Sequence, residues 1–166
     1  MIILFTVVWL VEERFLSPPG WQRPLGQLAA GEYDVERVID GDTIVLASNQ
    51  LRVRLQGIDT PETVKPNAQV EAWGDEASAY TTKFVADAGW RVRLEIDGEP
   101  VDRYGRHLAF VWSGTRLLNE ELVARGLARA KTNFDFSQGL KQRLRRAQAD
   151  ASNSERGLWR PQTADE

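Results

Sequence analysis

Two short acidic segments stand where strand-like stretches end. Asp40-Gly41-Asp42-Thr43 separates two strand patterns, and Asp59-Thr60-Pro61-Glu62-Thr63 follows a third. A turn accounts for Asp40 and Gly41, because Asp-Gly suits backbone with φ > 0. It accounts less well for Asp42, at the entrance of an apolar strand, where a carboxylate is costly unless paired or metal-bound. In the second segment Asp59 can form an Asx turn, and Pro61 can fix the chain direction. Together the segments offer two or three carboxylates leaving strand ends. Hard cations such as Ca²⁺ take about six to eight oxygen ligands in irregular geometry. Asp42, Asp59, a loop carbonyl and waters would supply such a set. The spacing is not that of an EF-hand loop.

Cationic residues flank these carboxylates. Arg52 and Arg54 lie two apart and share one strand face, with Arg52 expected in solvent. Asp102-Arg103-Tyr104-Gly105-Arg106 introduces a strand that is apolar at both parities. An arginine at the mouth of such a strand needs an anionic partner, either a protein carboxylate or a substrate phosphate. His107 lies beside it, and nothing at its spacing completes a catalytic dyad, so it reads as an ordinary hydrogen-bonded residue.

Composition narrows the chemistry. The 166 residues contain no cysteine and one histidine. Disulfides, thiolate zinc sites, thiol nucleophiles, iron–sulfur clusters and multi-histidine metal sites are excluded. Any metal is held mainly by oxygen. The net charge of −3 hides a partition. Residues 32–124 carry ten Lys/Arg and seventeen Asp/Glu, while residues 125–160 carry nine and three. An acidic middle beside a basic end suits a cation site next to a polyanion track, or simply a basic solvated helix face.

The positioning elements follow from periodicity. Residues 1–16 begin with an apolar run too short for a standard membrane span. This run is an atypical export signal, a weak anchor or a packed extension, and the expected location is extracellular or periplasmic. Residues 17–31 are punctuated by Pro and Gly and read as a linker. A domain is expected over 32–160, with a tail at 161–166. Alternation predicts strands over 33–39, 43–47 and 51–55, with a hairpin loop at 48–50. Helical spacing predicts a helix over 70–87, ended by Gly89. Strands are expected over 90–96 and 107–112. A short helix opens at Asn119 and stops at Gly126, and a final helix is expected over about 137–156. This α+β pattern has five short strands, which often close into a barrel.

The ordered set Asp40-Gly41-Asp42-Thr43, Arg54-Leu55-x-x-Ile58-Asp59-Thr60-Pro61-Glu62-Thr63, Gly74-x-Glu76-Ala77-Ser78-Ala79, Asp102-Arg103-Tyr104-Gly105-Arg106 and Asn119-x-x-Leu122-Val123-x-x-Gly126-Leu127-Ala128 resembles the staphylococcal nuclease (thermonuclease) family. The resemblance spans about residues 32–160. It implies an α+β fold: a five-stranded OB-fold β-barrel with about three α-helices. It also implies Ca²⁺-dependent endonuclease hydrolysis of DNA and RNA, single-stranded or locally melted by preference, leaving 3′-phosphates. No obligate protein partner is implied, and a monomer is expected. By the same resemblance Asp42 and Asp59 are the Ca²⁺ carboxylates and Thr60 lends its backbone carbonyl. Glu62 is the general base for water, and Arg54 and Arg106 grip the scissile phosphate. Arg103 and Tyr104 contact a terminal phosphate. One stretch departs from the family. Residues 129–136 lack the tyrosines usual there, and Phe134 can stack on a base but has no hydroxyl. The other reading is a non-catalytic OB-fold domain that binds nucleic acid or protein. Relatives of that kind lose the acidic and arginine residues, whereas Asp42, Arg54, Asp59, Glu62 and Arg106 are all kept here.

Overall fold

The computed structural model describes residues 28–61 and 72–161. Its strands are β1 (Gly31–Asp40), β2 (Thr43–Leu46), β3 (Arg52–Leu55), β4 (Ile58–Asp59), β5 (Arg91–Glu95), β6 (His107–Ser113), β7 (Arg116–Leu117) and β8 (Arg129–Ala130). The helices are α1 (Gly74–Asp87), α2 (Leu118–Ala124) and α3 (Gln138–Asn153), with a 3₁₀ turn at Gly157–Trp159.

Five strands close a barrel in the order β3-β2-β1-β5-β6. Four of its neighbour pairs are antiparallel; the fifth, β3 with β6, is parallel and shuts the ring. Strand β1 is long because it serves two neighbours. Its first half pairs with β5 and its second with β2, and the β1–β2 register shifts twice. Such irregularities bend a strand and let a sheet close on itself. Alternation decides what faces inward: in β5, Val92 and Leu94 are buried while Arg91 and Arg93 are exposed. The interior is filled by Ile44, Leu46, Val53, Leu55, Leu94, Phe110 and neighbours. Leu28, ahead of β1, is also buried in this core. The α+β expectation of an OB-type barrel with three helices is met.

The closing seam is held by a buried polar staple. Asn119, at the start of α2, accepts a hydrogen bond from Val111 N–H (3.0 Å) and donates to the Gln56 carbonyl (2.8 Å). One side chain thus ties β6 to the chain leaving β3. A buried amide satisfied on both sides fixes register where an apolar residue could not.

Several expected boundaries move, each for a local reason. Helix α1 begins at Gly74, because Trp73 adopts a left-handed conformation (φ 74°) that starts the helix anew. Residues 70 and 71 of that predicted helix lie outside the described residues. Helix α3 ends at Asn153, and Glu155 just beyond it is also left-handed (φ 51°). The two-residue strands β4, β7 and β8 have no period to read. Among the described residues, no helix is long and apolar enough to cross a membrane. Residues 1–16 and most of the expected linker lie outside the described residues.

Candidate active site

The turn between β1 and β2 carries Asp42 to the barrel rim. Gly41 is required there for space rather than for positive φ. A Cβ at this position would fall 2.6 Å from the Ala77 methyl and 2.9 Å from Thr60 Cγ2. The Gly41 carbonyl accepts a hydrogen bond from the buried Thr81 hydroxyl of α1 (2.6 Å). Helix α1 therefore clamps the turn, and the expectation of a φ > 0 glycine is corrected to one of close approach.

Asp42 is 1 % exposed. Its carboxylate accepts from the Thr43 hydroxyl (3.1 Å), from Thr60 N–H (3.1 Å) and from the Thr60 hydroxyl (3.0 Å). It also pairs with the Arg54 guanidinium. Burial still pushes the Asp42 carboxyl up to about 7, against the opposing pull of Arg54. The cost expected for a carboxylate at the mouth of an apolar strand is therefore present, and it is only partly offset.

Arg54 reaches out from β3 and spans two carboxylates. One terminal nitrogen meets Asp42, and the other donates to Asp59 Oδ1 at 2.7 Å. Asp59 is carried by β4, which pairs with β8 so that Asp59 stands opposite Arg129. Lys131 N–H donates to the Gly57 carbonyl (2.8 Å), and its ammonium lies 3.5 Å from Asp59 Oδ2. The sequence reading missed this ribbon and with it the role of Lys131.

Arg106 enters from the loop before β6. Its anionic partner, left open by the sequence, is Asp102. The Arg106 side chain donates through Nε (2.8 Å) and lies 2.7 Å away through a terminal nitrogen. Asp102 also accepts from the backbone N–H groups of Tyr104 and Arg106. Partial burial opposes these bonds, yet they hold the Asp102 carboxyl below the usual carboxylate range. These bonds fasten the Arg106 guanidinium to its own loop.

Asp40, Asp42, Arg52, Arg54, Asp59, Thr60, Tyr104 and Arg106 line one open cleft of about 460 Å³. Arg52 is exposed, as expected, yet borders this cleft. Arg103 lies in an adjoining hollow of about 600 Å³ with Tyr104, Lys131 and Phe134. Arg103 stacks on Tyr104, its guanidinium carbon 4.8 Å from the ring centroid. Phe134 is 53 % exposed at the rim. Of the residues given a role at the site from the sequence, Glu62 lies outside the described residues. His107 is buried on β6, and among the described residues its Nδ1 has no hydrogen-bond partner.

The donor set suits a hard cation held loosely. Among the described residues no group of three or more His, Cys, Asp or Glu converges. Two carboxylates face one guanidinium-sized space, and the buried one lacks full compensation. That chemistry fits a divalent ion completed by a carbonyl and waters.

Comparison with known proteins agrees with this geometry. The family model described as staphylococcal nuclease homologue matches residues 52–161. The chain is 39 % identical over 166 residues to the thermonuclease of Staphylococcus hyicus, covering 96 % of this chain and 95 % of that protein. It is 38 % identical over 161 residues to the thermonuclease of Staphylococcus intermedius, covering 96 % and 94 %. It is 34 % identical over 128 residues to the endonuclease YncB of Bacillus subtilis, covering 75 % and 60 %. A barrel closed by β3 and β6, a carboxylate at each end of Arg54, and matches across nearly the whole chain lead to one conclusion: this protein belongs to the staphylococcal nuclease family.

Proposed function

We propose that the cleft is the active site of a Ca²⁺-dependent endonuclease that hydrolyses DNA and RNA and leaves 3′-phosphates. The observation that carries this reading is the placement of Arg54 between Asp42 and Asp59, with Arg106 on the same cleft. Phosphodiester hydrolysis adds negative charge to the phosphate oxygens in the transition state. Guanidinium groups held in advance where that charge grows stabilise it without reorganising. Arginine suits the task because its fork meets two oxygens and stays protonated.

Asp42 and Asp59 are proposed to hold Ca²⁺, with the Thr60 carbonyl completing the protein ligands. The bound ion supplies positive charge against the phosphate and orients water. With a cation held by those carboxylates, the Arg54 fork would be free to meet the phosphate oxygens. Arg106, anchored by Asp102, holds its position throughout. Glu62, three residues past Asp59 in sequence, is proposed to orient or deprotonate the attacking water. Arg103 and Tyr104 are proposed to contact the next phosphate in the adjoining hollow. With two carboxylates in the set, Ca²⁺ is expected to bind weakly, at roughly 10⁻⁴–10⁻³ M, the range of few-charge sites. Single-stranded or melted substrate, and action as a monomer, are part of the same proposal.

The test is degradation of heat-denatured DNA by the purified protein, with millimolar Ca²⁺ and with a chelator. Glu62→Gln runs alongside to exclude a contaminating nuclease. Cleavage that needs Ca²⁺ and collapses in the variant supports the reading. No cleavage by a folded protein in either condition makes the cleft a binding site only.

A further inference from the structure

A second cationic surface begins at Asp59. In an antiparallel pair, residues directly opposite point to the same face, and so do their neighbours two along. Asp59 stands opposite Arg129, so Asp59, Arg129 and Lys131 share one face of the β4–β8 ribbon. The Lys131–Asp59 contact of 3.5 Å agrees with that placement. From Arg129 the surface continues onto the C-terminal turn. The Arg129 guanidinium carbon lies 4.9 Å from the Trp159 ring centroid, and that of Arg160, the next residue, lies 5.0 Å from the Trp73 ring centroid. Trp73 immediately precedes α1, the helix that clamps the Asp42 turn.

Arg129 and Arg160 are exposed over half-buried rings, and neither has a carboxylate partner among the described residues. Trp112 makes a useful contrast. It lies between Arg93 (5.1 Å) and Arg143 (5.0 Å), but Arg93 faces Glu95 and Arg143 pairs with Glu120. Among the described residues, the arginines stacked on Trp112 have carboxylate partners and those stacked on Trp159 and Trp73 do not. Cation–ring stacking alone would need no such imbalance.

We propose that Arg129 and Arg160, backed by Trp159 and Trp73, form a track for the single-stranded polynucleotide beyond the scissile phosphate. The proposal rests on the nuclease reading above. Lys131 lines the hollow with Arg103, Tyr104 and Phe134, and Arg129 and Arg160 extend that hold outward from the ribbon. Guanidinium groups bind phosphates, and the indole rings beneath them hold them in place.

The test measures binding of a fluorescent oligothymidylate of about 12 nucleotides, within the span of an OB-type site, by anisotropy across a salt series. A chelator present throughout prevents cutting. Loss of two phosphate contacts in Arg129→Ser/Arg160→Ser should reduce the slope of log K against log salt by about 1.4, since each single-strand contact contributes about 0.7. Arg129→Lys/Arg160→Lys should keep the slope. Cleavage of a thymidine dinucleotide in Ca²⁺, too short to reach the track, should be unchanged in the serine variant. Arg160→Ser alone, in the last turn of the described chain, should lower the slope by about 0.7 and serves if the double variant does not fold. An unchanged slope in a folded serine variant, or a parallel loss of dinucleotide cleavage, overturns the proposal. Because binding is read without turnover, a wild type that binds but does not cut would sink the nuclease reading and leave the track standing.

Discussion

Asp42 and Asp59 grip opposite ends of one guanidinium, yet they are built into the molecule in opposite ways. Asp42 is 1 % exposed and sits on a turn that α1 clamps through Thr81 and Ala77. Three hydrogen bonds from Thr43 and Thr60 fix its oxygens. The Asp59 side chain is 47 % exposed and rides on a two-residue strand whose partner comes from far along the chain. One wall of the cleft is therefore part of the barrel, and the other is a ribbon laid across its mouth. The buried wall fixes charge in advance, as transition-state stabilisation requires. On the proposed reading, the exposed wall is where cation and substrate enter and leave.

The largest expected effect breaks both walls at once. Arg54→Ala removes the group that spans them and should lower kcat by about 100-fold or more, by analogy with loss of an oxyanion donor. Arg106→Ala should do the same while leaving Asp42 and Asp59 with their guanidinium. Steady-state kinetics at saturating Ca²⁺, with melting curves to confirm folding, checks both. A variant losing only a few-fold would remove that arginine from the phosphate. Next in size is Asn119→Ala, which attacks the barrel seam. It leaves the Val111 N–H and the Gln56 carbonyl buried without partners, and it should cost about 2–3 kcal/mol in urea unfolding. A cost within experimental error would show that water or a shift of backbone replaces the staple.

A subtler effect appears with pH at the buried carboxylate. The folded pKa of Asp42, about 7, lies above its ordinary value of 3.8. The folded state therefore holds a proton that the unfolded state releases. Stability from this group is fully present below about pH 4 and is lost as pH rises towards 7. In chelator, the difference between wild type and Asp42→Asn should grow across that window, with the wild type falling. Parallel curves for the two proteins would mean that the hydrogen bonds to Asp42 outweigh its burial.

The same division governs what could be read without a structure. The barrel wall was legible: alternation placed Arg54 on an outward face of β3, and the cost of a carboxylate before an apolar strand singled out Asp42. The ribbon wall was not. Asp59 was noticed as a residue type, but strands of two residues have no period, and the pairing of 58–59 with 129–130 is set by tertiary packing. Lys131 and Arg129 were consequently read only as part of a basic stretch. Gly41 was noticed for the wrong reason. Asp-Gly spells a turn, whereas what excludes a side chain is the approach of Ala77 from a helix far along the chain. Trp73 was counted into the helical spacing although its own backbone breaks that helix.

The central claim is that both walls hold one Ca²⁺ ion. Melting temperature measured in chelator and in 10 mM Ca²⁺ (roughly ten times the weaker end of the expected dissociation range) tests it without relying on turnover. The wild type should gain several degrees with Ca²⁺, and both Asp42→Asn and Asp59→Asn should lose most of that gain. An equal gain in all three proteins would place the ion elsewhere and contradict the account.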